Sequence, residues 1–207
     1  MTEFDKEYWE GQWSLGTSGR DRELPVNPYL TAETAHLHVG TVLDAGCGIG
    51  IESLWLAEQG WAVTAADISA TALAEAQARA VSAGVGEHID WVEIDLSRWE
   101  PRRTWDLLVT NYAHAQIGQL PLYRRIASWV APGGTLLIVG HLHGQHHDAH
   151  HGHGHPEGAT ATLEGITNLF HTPEWRIDSA YENTRTVYPS GSPVQLRDVI
   201  VRAHRLT

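Results

Sequence analysis

The sequence predicts a doubly wound α/β fold, in which a mostly parallel sheet carries helices on both faces and ends in an antiparallel hairpin. From residue 41 onward, short apolar segments alternate with segments of helical periodicity, which is the pattern of successive strand–helix units. A glycine-rich turn joins the first strand to the first of these helices. Two long runs at the end of the chain are separated by the turn-forming YPSGSP, which predicts the hairpin.

The first 40 residues precede this alternation and contain two short helical candidates, at residues 4–13 and 27–38. The turn-rich segment SLGTSGRDRELP separates them. We therefore expect an N-terminal helical segment over residues 1–40 that leads into the sheet.

The next part of the chain supplies five predicted strands and the helices between them. Ser69 stands at an N-cap position before the alanine-rich TALAEAQARAVSA, and Gly84 follows as a helix stop, so both ends of this helix are marked. The predicted strands are residues 41–44, 61–67, 89–95, 105–111 and 135–140, with further helices ending at residue 58 and spanning 120–130. Such alternation implies a parallel sheet with both faces covered.

Beyond residue 140 the periodicity gives way to a low-complexity stretch with eight histidines in the 15 residues from His141 to His155. We expect a histidine-rich loop insertion over residues 141–158 and a short helix near residues 163–170. The hairpin strands follow at residues 175–187 and 194–205. Because no internal repeat or linker interrupts the sequence, residues 1–207 are predicted to form a single domain.

Composition and charge limit the partners of the protein. Fourteen Lys and Arg residues against 25 Asp and Glu residues give a formal charge of −11, so binding to large nucleic acids or anionic membranes is not expected. The sequence has neither a membrane-spanning apolar run nor a signal peptide. Its single cysteine, Cys47, cannot form an internal disulfide. We expect a cytoplasmic monomer or homodimer that acts on a small molecule.

The glycine-rich turn VLDAGCGIG favours a cationic, nucleotide-like ligand. Gly46, Gly48 and Gly50 lie between a strand and a helix, where the absence of Cβ atoms lets a ligand approach the backbone. A dinucleotide fingerprint needs a small residue three positions after its second glycine, but this sequence has Ile51 there. Asp44, at the strand end before the loop, would repel a pyrophosphate and attract an ammonium group.

Two further acids end the second and third predicted strands, Asp67 and Asp95. Because the carboxyl ends of parallel strands meet at one edge of the sheet, where open α/β proteins bind ligands, we expect both to lie near Asp44. An acid at the position of Asp67 can bind two ribose hydroxyls.

With these features, residues 41–69 resemble the first motifs of the class I S-adenosylmethionine-dependent methyltransferases, and the similarity continues through WDLLVTNYAH and VAPGGTLLIVGH to about residue 141. The resemblance implies a seven-stranded sheet of Rossmann-like type, the cofactor S-adenosylmethionine and the product S-adenosylhomocysteine. It also implies a methionine pocket at the glycine loop, a ribose site at the second strand and an adenine site at the third. The residues that it assigns to the cofactor are Asp44, Gly46, Gly48, Gly50, Asp67, Ile68, Asp95, Leu96 and Asn111.

The N-terminal YWEGQW, the SGR before an Asn-Pro pair and the final hairpin resemble the small tellurite-resistance-type and thiopurine-methyltransferase-like members. In these proteins the N-terminal segment covers the cofactor, which implies a lid containing Trp9 and Trp13, with Arg20 near the cofactor carboxylate. The inserted DRELPV leaves Arg22 as an alternative to Arg20. Trp9 and Trp13, four residues apart, also fit a core-packing pair.

Candidate groups for the methyl acceptor follow the fourth and fifth strands. Tyr112 and His114 come directly after the fourth strand, and His141 and His143 lie just past the fifth. They are predicted to contact substrate, or alternatively to make hydrogen bonds that support the fold. A thiolate, selenide or telluride needs little base assistance, whereas a nitrogen or oxygen acceptor needs a general base, for which His114 and His141 are candidates.

The histidine-rich stretch has three interpretations: a solvated loop, an active-site lid or a metal-binding segment. His146, His150 and His153 are candidate ligands for nickel, zinc or copper. The run lacks the four ligands from separate elements that structural zinc sites use, so we favour a lid with weak metal affinity.

Together these features predict an S-adenosylmethionine-dependent methyltransferase that acts on a small-molecule nucleophile, either a thiol or chalcogen or a small nitrogen or oxygen acceptor. Methyl transfer from a sulfonium is an in-line displacement, so the protein mainly aligns the nucleophile and excludes water. The alternative is a metal-binding or sensing protein on the same scaffold, which binds the ligand without turnover.

Overall fold

The computed structural model describes residues 3–14, 25–142, 160–187 and 193–207. The strands are β1 (Thr41–Ala45), β2 (Ala62–Asp67), β3 (Ile89–Glu93), β4 (Trp105–Asn111), β5 (Val130–Leu142), β6 (Thr160–Ala161), β7 (Trp175–Val187) and β8 (Val194–Arg205). The α-helices are α1 (Lys6–Ser14), α2 (Pro28–Thr34), α3 (Ile51–Glu58), α4 (Ala70–Ala83), α5 (Gln119–Ala127) and α6 (Leu163–Asn168), and a 3-10 turn spans Gly86–His88.

The strands form one sheet in the order β3-β2-β1-β4-β5-β8-β7. Strands β1 to β5 pair in parallel with one another, whereas β8 pairs antiparallel with both β5 and β7. The predicted doubly wound sheet with its C-terminal hairpin is therefore confirmed. One short strand was not predicted: β6 adds two residues beside the end of β5, which makes eight strands.

The fifth strand differs from its prediction at both ends. The segment APGG was predicted as a turn before the strand, but β5 already begins at Val130, which pairs with Trp105. The register then shifts and Gly133 adopts a left-handed φ of 79°, so the predicted turn is an irregularity within the strand. At the other end, β5 continues to Leu142. His141 and Leu142, predicted as the first two residues of the loop insertion, therefore belong to the strand.

Two apolar clusters cover the two faces of the sheet. Successive residues of a strand point to opposite faces, so Leu107 and Leu108 are both completely buried but belong to different clusters, as do Leu136 and Leu137. Central strands buried on both faces are apolar at consecutive positions. This explains why the predicted strands were continuous apolar runs rather than alternating ones.

Local capping explains where the best-marked helix begins and ends. Ser69 accepts a hydrogen bond from the Ala72 backbone N–H at 3.1 Å, and Gly84 ends α4 in the left-handed conformation with a φ of 75°. Both predicted end signals of this helix are therefore confirmed. Within the described ranges, no helix is long and apolar enough to cross a membrane.

Candidate active site

A cavity of about 270 Å³ lies at the carboxyl ends of β1 to β4, beneath α1. One side of it is the glycine loop with nearby acids, and the other side is aromatic. The residues predicted for the site that line it are Trp13, Gly46, Gly48, Asp67, Ile68, Asp95, Leu96, Asn111, Tyr112 and His114. The sheet edge has brought these residues together from five separate segments of the chain.

The glycine loop is held tightly by its neighbours. Gly46, Gly48 and Gly50 all have left-handed backbones, with φ of 82°, 52° and 76°. A Cβ on Gly46 would lie 2.3 Å from the Cβ of Ala113, and one on Gly50 would lie 2.9 Å from the Trp91 ring. Gly50 does not line the cavity. Its small size serves the packing of α3 against the sheet, whereas Gly46 and Gly48 face the ligand space.

Asp67 holds the glycine loop in position. Its Oδ2 accepts the Gly48 backbone N–H at 2.8 Å, and its Oδ1 accepts the Ser69 backbone N–H at 2.9 Å. Burial raises the pKa of the Asp67 carboxyl, and these backbone hydrogen bonds oppose the rise. Each carboxylate oxygen can accept a second bond, so Asp67 can bind ligand hydroxyls without releasing the loop.

Asp44 lies under the loop and does not line the cavity. Its side chain is buried, and Oδ2 accepts the Ser53 hydroxyl at 2.6 Å. Burial, together with the nearby Glu52 carboxylate, raises the pKa of Asp44 to about 7. Glu52, which the sequence analysis did not single out, does line the cavity and accepts the Asn27 backbone N–H at 3.2 Å. Its place in the first turn of α3, directly after the loop, was the signal that could have revealed it.

The raised pKa of Asp44 predicts that the free energy of unfolding falls as the pH rises from 3.8 to about 7. Because the folded protein keeps this proton between the unfolded value of 3.8 and about 7, the folded state binds more protons there and the free energy of unfolding decreases as the pH rises. From pH 4 to pH 8 the wild type should lose up to about 4 kcal/mol of unfolding free energy relative to Asp44→Asn, which lacks the titrating carboxyl. Urea unfolding at several pH values measures this.

The matched control for this experiment is Asp90→Asn, which neutralises an exposed carboxylate on β3. This variant should keep the wild-type pH dependence. If the unfolding free energy depended on pH in the same way in Asp44→Asn and in the wild type, the raised pKa of Asp44 would be contradicted.

An apolar slot lies on the side of the cavity where β2 and β3 end. Ile68 and Leu96 line it as predicted, joined by Ile94, which the sequence analysis did not name. Asp95 also lines the cavity, but its Oδ1 accepts both the backbone N–H and the hydroxyl of Ser97, at 2.8 and 2.6 Å. The carboxylate therefore also stabilises the turn after β3.

The aromatic side of the cavity is a series of facing rings. The His114 ring stacks on the Trp9 ring at a centroid distance of 6.2 Å and on the His141 ring at 5.8 Å, and the His141 ring stacks on Tyr112 at 4.5 Å. Phe4 packs on both Trp9 and His114. The structure thus brings the predicted residues Tyr112, His114 and His141 together, although His141 lies behind the cavity wall rather than on it.

The Tyr112 hydroxyl belongs to a buried polar network rather than to the cavity. It donates to Oδ1 of Asp198 at 2.9 Å and accepts from Arg185 at 3.0 Å, while Arg185 also forms an ion pair with Asp198 at 2.7 Å. Burial raises the pKa of Tyr112 further above its usual value. These contacts correspond to the fold-supporting role that was the alternative for this residue. The backbone of Tyr112 is left-handed, with a φ of 54°, a strained conformation for a bulky residue.

Asn111 offers a hydrogen-bond donor to the cavity. Its Oδ1 accepts the Asn27 side-chain amide at 3.2 Å, but among the residues that the structure describes, its buried Nδ2 has no hydrogen-bond partner. A buried donor without a partner costs free energy. Asn111 was predicted in the cofactor site and lines the cavity.

Several predicted positions lie outside the described residues. These are Arg20, Arg22, His143, His146, His150 and His153. Within the part of the chain that the structure describes, no group of three or more His, Cys, Asp or Glu side chains is arranged to hold a metal ion. The metal site at the histidine-rich stretch stays a prediction.

The strand order, the glycine loop and the acids at the ends of successive strands define a class I S-adenosylmethionine-dependent methyltransferase fold. Residues 42–134 match a protein family described as "Methyltransferase domain". This matched segment, which is similar to that family, contains the glycine loop and the acids Asp67 and Asp95.

Known proteins are similar to the chain in sequence, and a solved structure is similar to it in fold. The chain is 29% identical over 144 residues to a "Probable thiol methyltransferase 2" of Arabidopsis thaliana, an alignment that covers 67% of this chain and 63% of that protein. It is 39% identical over 101 residues to an uncharacterized methyltransferase of Mycobacterium tuberculosis, covering 47% and 49%. The chain thus spans about half to three fifths of these relatives. The structure of TehB from Haemophilus influenzae superposes with a TM-score of 0.71 at 16% identity, covering 98% of this chain and 67% of TehB.

Proposed function

We propose that the protein binds S-adenosylmethionine in this cavity and transfers its methyl group to a small thiol or chalcogen nucleophile. The observation that carries the proposal is the division of one cavity into an acid-bearing glycine loop and an aromatic wall. The first half suits a cationic nucleoside, and the second suits an apolar, polarisable acceptor. The relative named as a probable thiol methyltransferase supports the same acceptor class.

The residues present fit the cofactor. Gly46 and Gly48 line the cavity, and only glycine fits there, because a Cβ would lie 2.3 Å from Ala113 at the first position and 3.1 Å from the Trp13 ring at the second. Asp67 would hold the ribose hydroxyls. Glu52, half-buried on the cavity wall, with the buried Asp44 behind it, would hold the methionine ammonium. Desolvation raises the pKa of both carboxyl groups, and a cation would stabilise their charged forms. Ile68, Ile94, Leu96 and Asp95 would hold the adenine.

S-adenosylmethionine supplies a methyl group already activated by its sulfonium leaving group. The protein must hold the nucleophile in line and remove water from around it. Phe4, Trp9 and Trp13 cover the cavity from the side of α1, and they would exclude water when the acceptor is bound. His114 would accept a proton from the acceptor where one must be removed. A thiol needs this help least, because its pKa of about 8.5 already leaves some thiolate at neutral pH.

The remaining predictions stay as proposals. These are the single domain over residues 1–207, a lid formed from residues 1–40, a small-molecule partner rather than nucleic acid, a monomer or homodimer, and a cytoplasmic location. The metal-binding or sensing alternative would bind S-adenosylmethionine, or a metal, without turnover.

A matched set of acceptors tests the proposal. Isothermal titration of metal-stripped protein with S-adenosylmethionine and S-adenosylhomocysteine should show binding. Turnover is then followed by S-adenosylhomocysteine release with benzenethiol, phenol and aniline, which share a ring and differ in the nucleophilic atom. We expect kcat/KM for the thiol to be at least about 100-fold above that for the other two, equivalent to ~3 kcal/mol of barrier. Binding without turnover of any acceptor would favour the sensing alternative, and absence of binding would overturn the proposal.

A further inference from the structure

Helix α1 carries Trp9 and Trp13, two of the aromatic residues that cover the cavity. None of its own residues is fully buried. Trp9 packs on His114, and the Trp13 ring approaches Gly48 so closely that a Cβ there would lie 3.1 Å from it. The exposed ion pair between Lys6 and Glu93 adds little. A further polar contact joins α1 to the start of α4.

Glu10 supplies that contact. One carboxylate oxygen, Oε1, accepts the Ala70 backbone N–H at 2.7 Å, and Oε2 accepts the Ser69 hydroxyl at 3.1 Å and the Thr71 backbone N–H at 3.3 Å. These donors are the first turn of α4, where backbone N–H groups lack partners within the helix and a negative charge is stabilised. Desolvation raises the pKa of Glu10, but the hydrogen bonds outweigh it and lower the pKa overall. The carboxylate is thus held ionised.

Ser69 links Glu10 directly to the ribose-binding acid of the proposed function. Its backbone N–H donates to Asp67 at 2.9 Å while its hydroxyl donates to Glu10. The same hydroxyl caps α4 by accepting the Ala72 N–H at 3.1 Å. One residue thus hydrogen-bonds both to Asp67 at the cavity and to the carboxylate of Glu10 on α1.

We propose that Glu10 is a positioning residue, which couples the closure of α1 over the cavity to ligand binding at Asp67 through Ser69. The inference rests on the proposed function, because the ligand is S-adenosylmethionine or its product. Glu10 does not touch this ligand. It acts through Trp13, whose ring is held over the glycine loop only while α1 is attached.

The test compares Glu10→Ala and Glu10→Gln with the control Glu7→Gln, which neutralises an exposed acid on the same helix. Stopped-flow dissociation of S-adenosylhomocysteine should be roughly tenfold faster in Glu10→Ala, since charge-assisted bonds are lost. Glu10→Gln keeps an amide oxygen as acceptor, so its dissociation rate should lie between those of the wild type and Glu10→Ala. Glu7→Gln should have the wild-type rate. Equal dissociation rates in Glu10→Ala and the wild type would overturn the proposal.

A double-mutant cycle separates positioning from a general loss of stability. If Glu10 acts through Trp13, then Glu10→Ala combined with Trp13→Ala should dissociate the product no faster than Trp13→Ala alone. Additive effects would contradict the coupling.

Hydrogen exchange of the ligand-free protein gives an independent readout. Glu10→Ala should lose protection at residues 6–14 while the central amides of α4 keep theirs. Loss confined to α4 would mean that Glu10 is merely a helix cap, and the proposal would fail. If the wild type does not bind S-adenosylhomocysteine, the proposed function fails and the coupling fails with it, but hydrogen exchange still decides whether Glu10 fastens α1.

Discussion

Replacing Asp67 with alanine is expected to weaken binding of S-adenosylmethionine by about 100-fold or more, as measured by isothermal titration. In the proposed function, this variant would lose two hydrogen bonds from ribose hydroxyls to a charged acceptor. Each is worth about 1.5–3 kcal/mol, and 1.4 kcal/mol corresponds to tenfold in affinity. The variant also leaves the N–H groups of Gly48 and Ser69 without the acceptors they have in the wild type. The glycine loop then loses the conformation that the ligand requires.

Two further variants identify the cause of this loss. Asp67→Asn keeps the shape and one acceptor oxygen, so it should bind more tightly than Asp67→Ala but more weakly than the wild type. Asp90→Ala removes an exposed carboxylate from β3, next to β2 in the sheet, and should bind like the wild type. Wild-type affinity in Asp67→Ala, with the fold intact by circular dichroism, would remove the ribose role from this residue.

Gly46→Ala is expected to destabilise the protein by about 3 kcal/mol and to abolish cofactor binding. The new Cβ would lie 2.3 Å from the Cβ of Ala113, which belongs to the segment after β4 and cannot rotate away. Overpacking of this kind costs about 1–3 kcal/mol, and the left-handed backbone at φ 82° adds a strain of about 1–2 kcal/mol for any residue other than glycine. Urea denaturation measures the first effect and isothermal titration the second.

Gly84→Ala is the matched control, because it separates the two causes. Gly84 has nearly the same backbone, with a φ of 75°, but nothing lies within 4 Å of its missing Cβ. Its substitution should therefore cost only the backbone strain, about 1–2 kcal/mol, and should leave cofactor binding unchanged. Equal losses of stability in the two variants would show that the contact with Ala113 is unimportant.

Local sequence patterns predicted most of the architecture. Continuous apolar runs predicted the central strands because these are buried on both faces, and Ser69 and Gly84 marked the ends of α4 by their hydrogen bonding and backbone freedom. The start of β5 was misjudged because APGG has the composition of a turn. In the folded protein Val130, directly before this segment, already pairs with Trp105 of β4, and the left-handed Gly133 is accommodated as an irregularity within β5. The two-residue β6 had no signal of its own, since it exists only by pairing with the end of β5.

The residues that line the cavity could be predicted when they belong to one sequence motif. Those brought together only by the fold could not. Gly46, Gly48 and Asp67 follow from spacing along the chain. Glu52 and Ile94 were missed because an acid in the first turn of a helix and an isoleucine after a strand are common everywhere. Only their position beside the loop gives them a role.

The tertiary structure also decided between alternatives that the sequence left open. Trp13 lies against Gly48, at the cavity, rather than in the core. The Tyr112 hydroxyl is bonded to Asp198, 86 residues further along the chain, a contact that no local pattern encodes.

By itself, the sequence determined the class of fold, the edge of the sheet that binds ligands and the glycine loop with its acids, because these depend on periodicity and on conformations that few residues adopt. The tertiary structure decided which side chains face the cavity and which support it. It placed Asp44 and Gly50 behind the loop, stacked His114 between Trp9 and His141, and fastened α1 through Glu10 to α4. These outcomes depend on contacts between residues far apart in the chain, which arise only when the sheet and its helices are packed together.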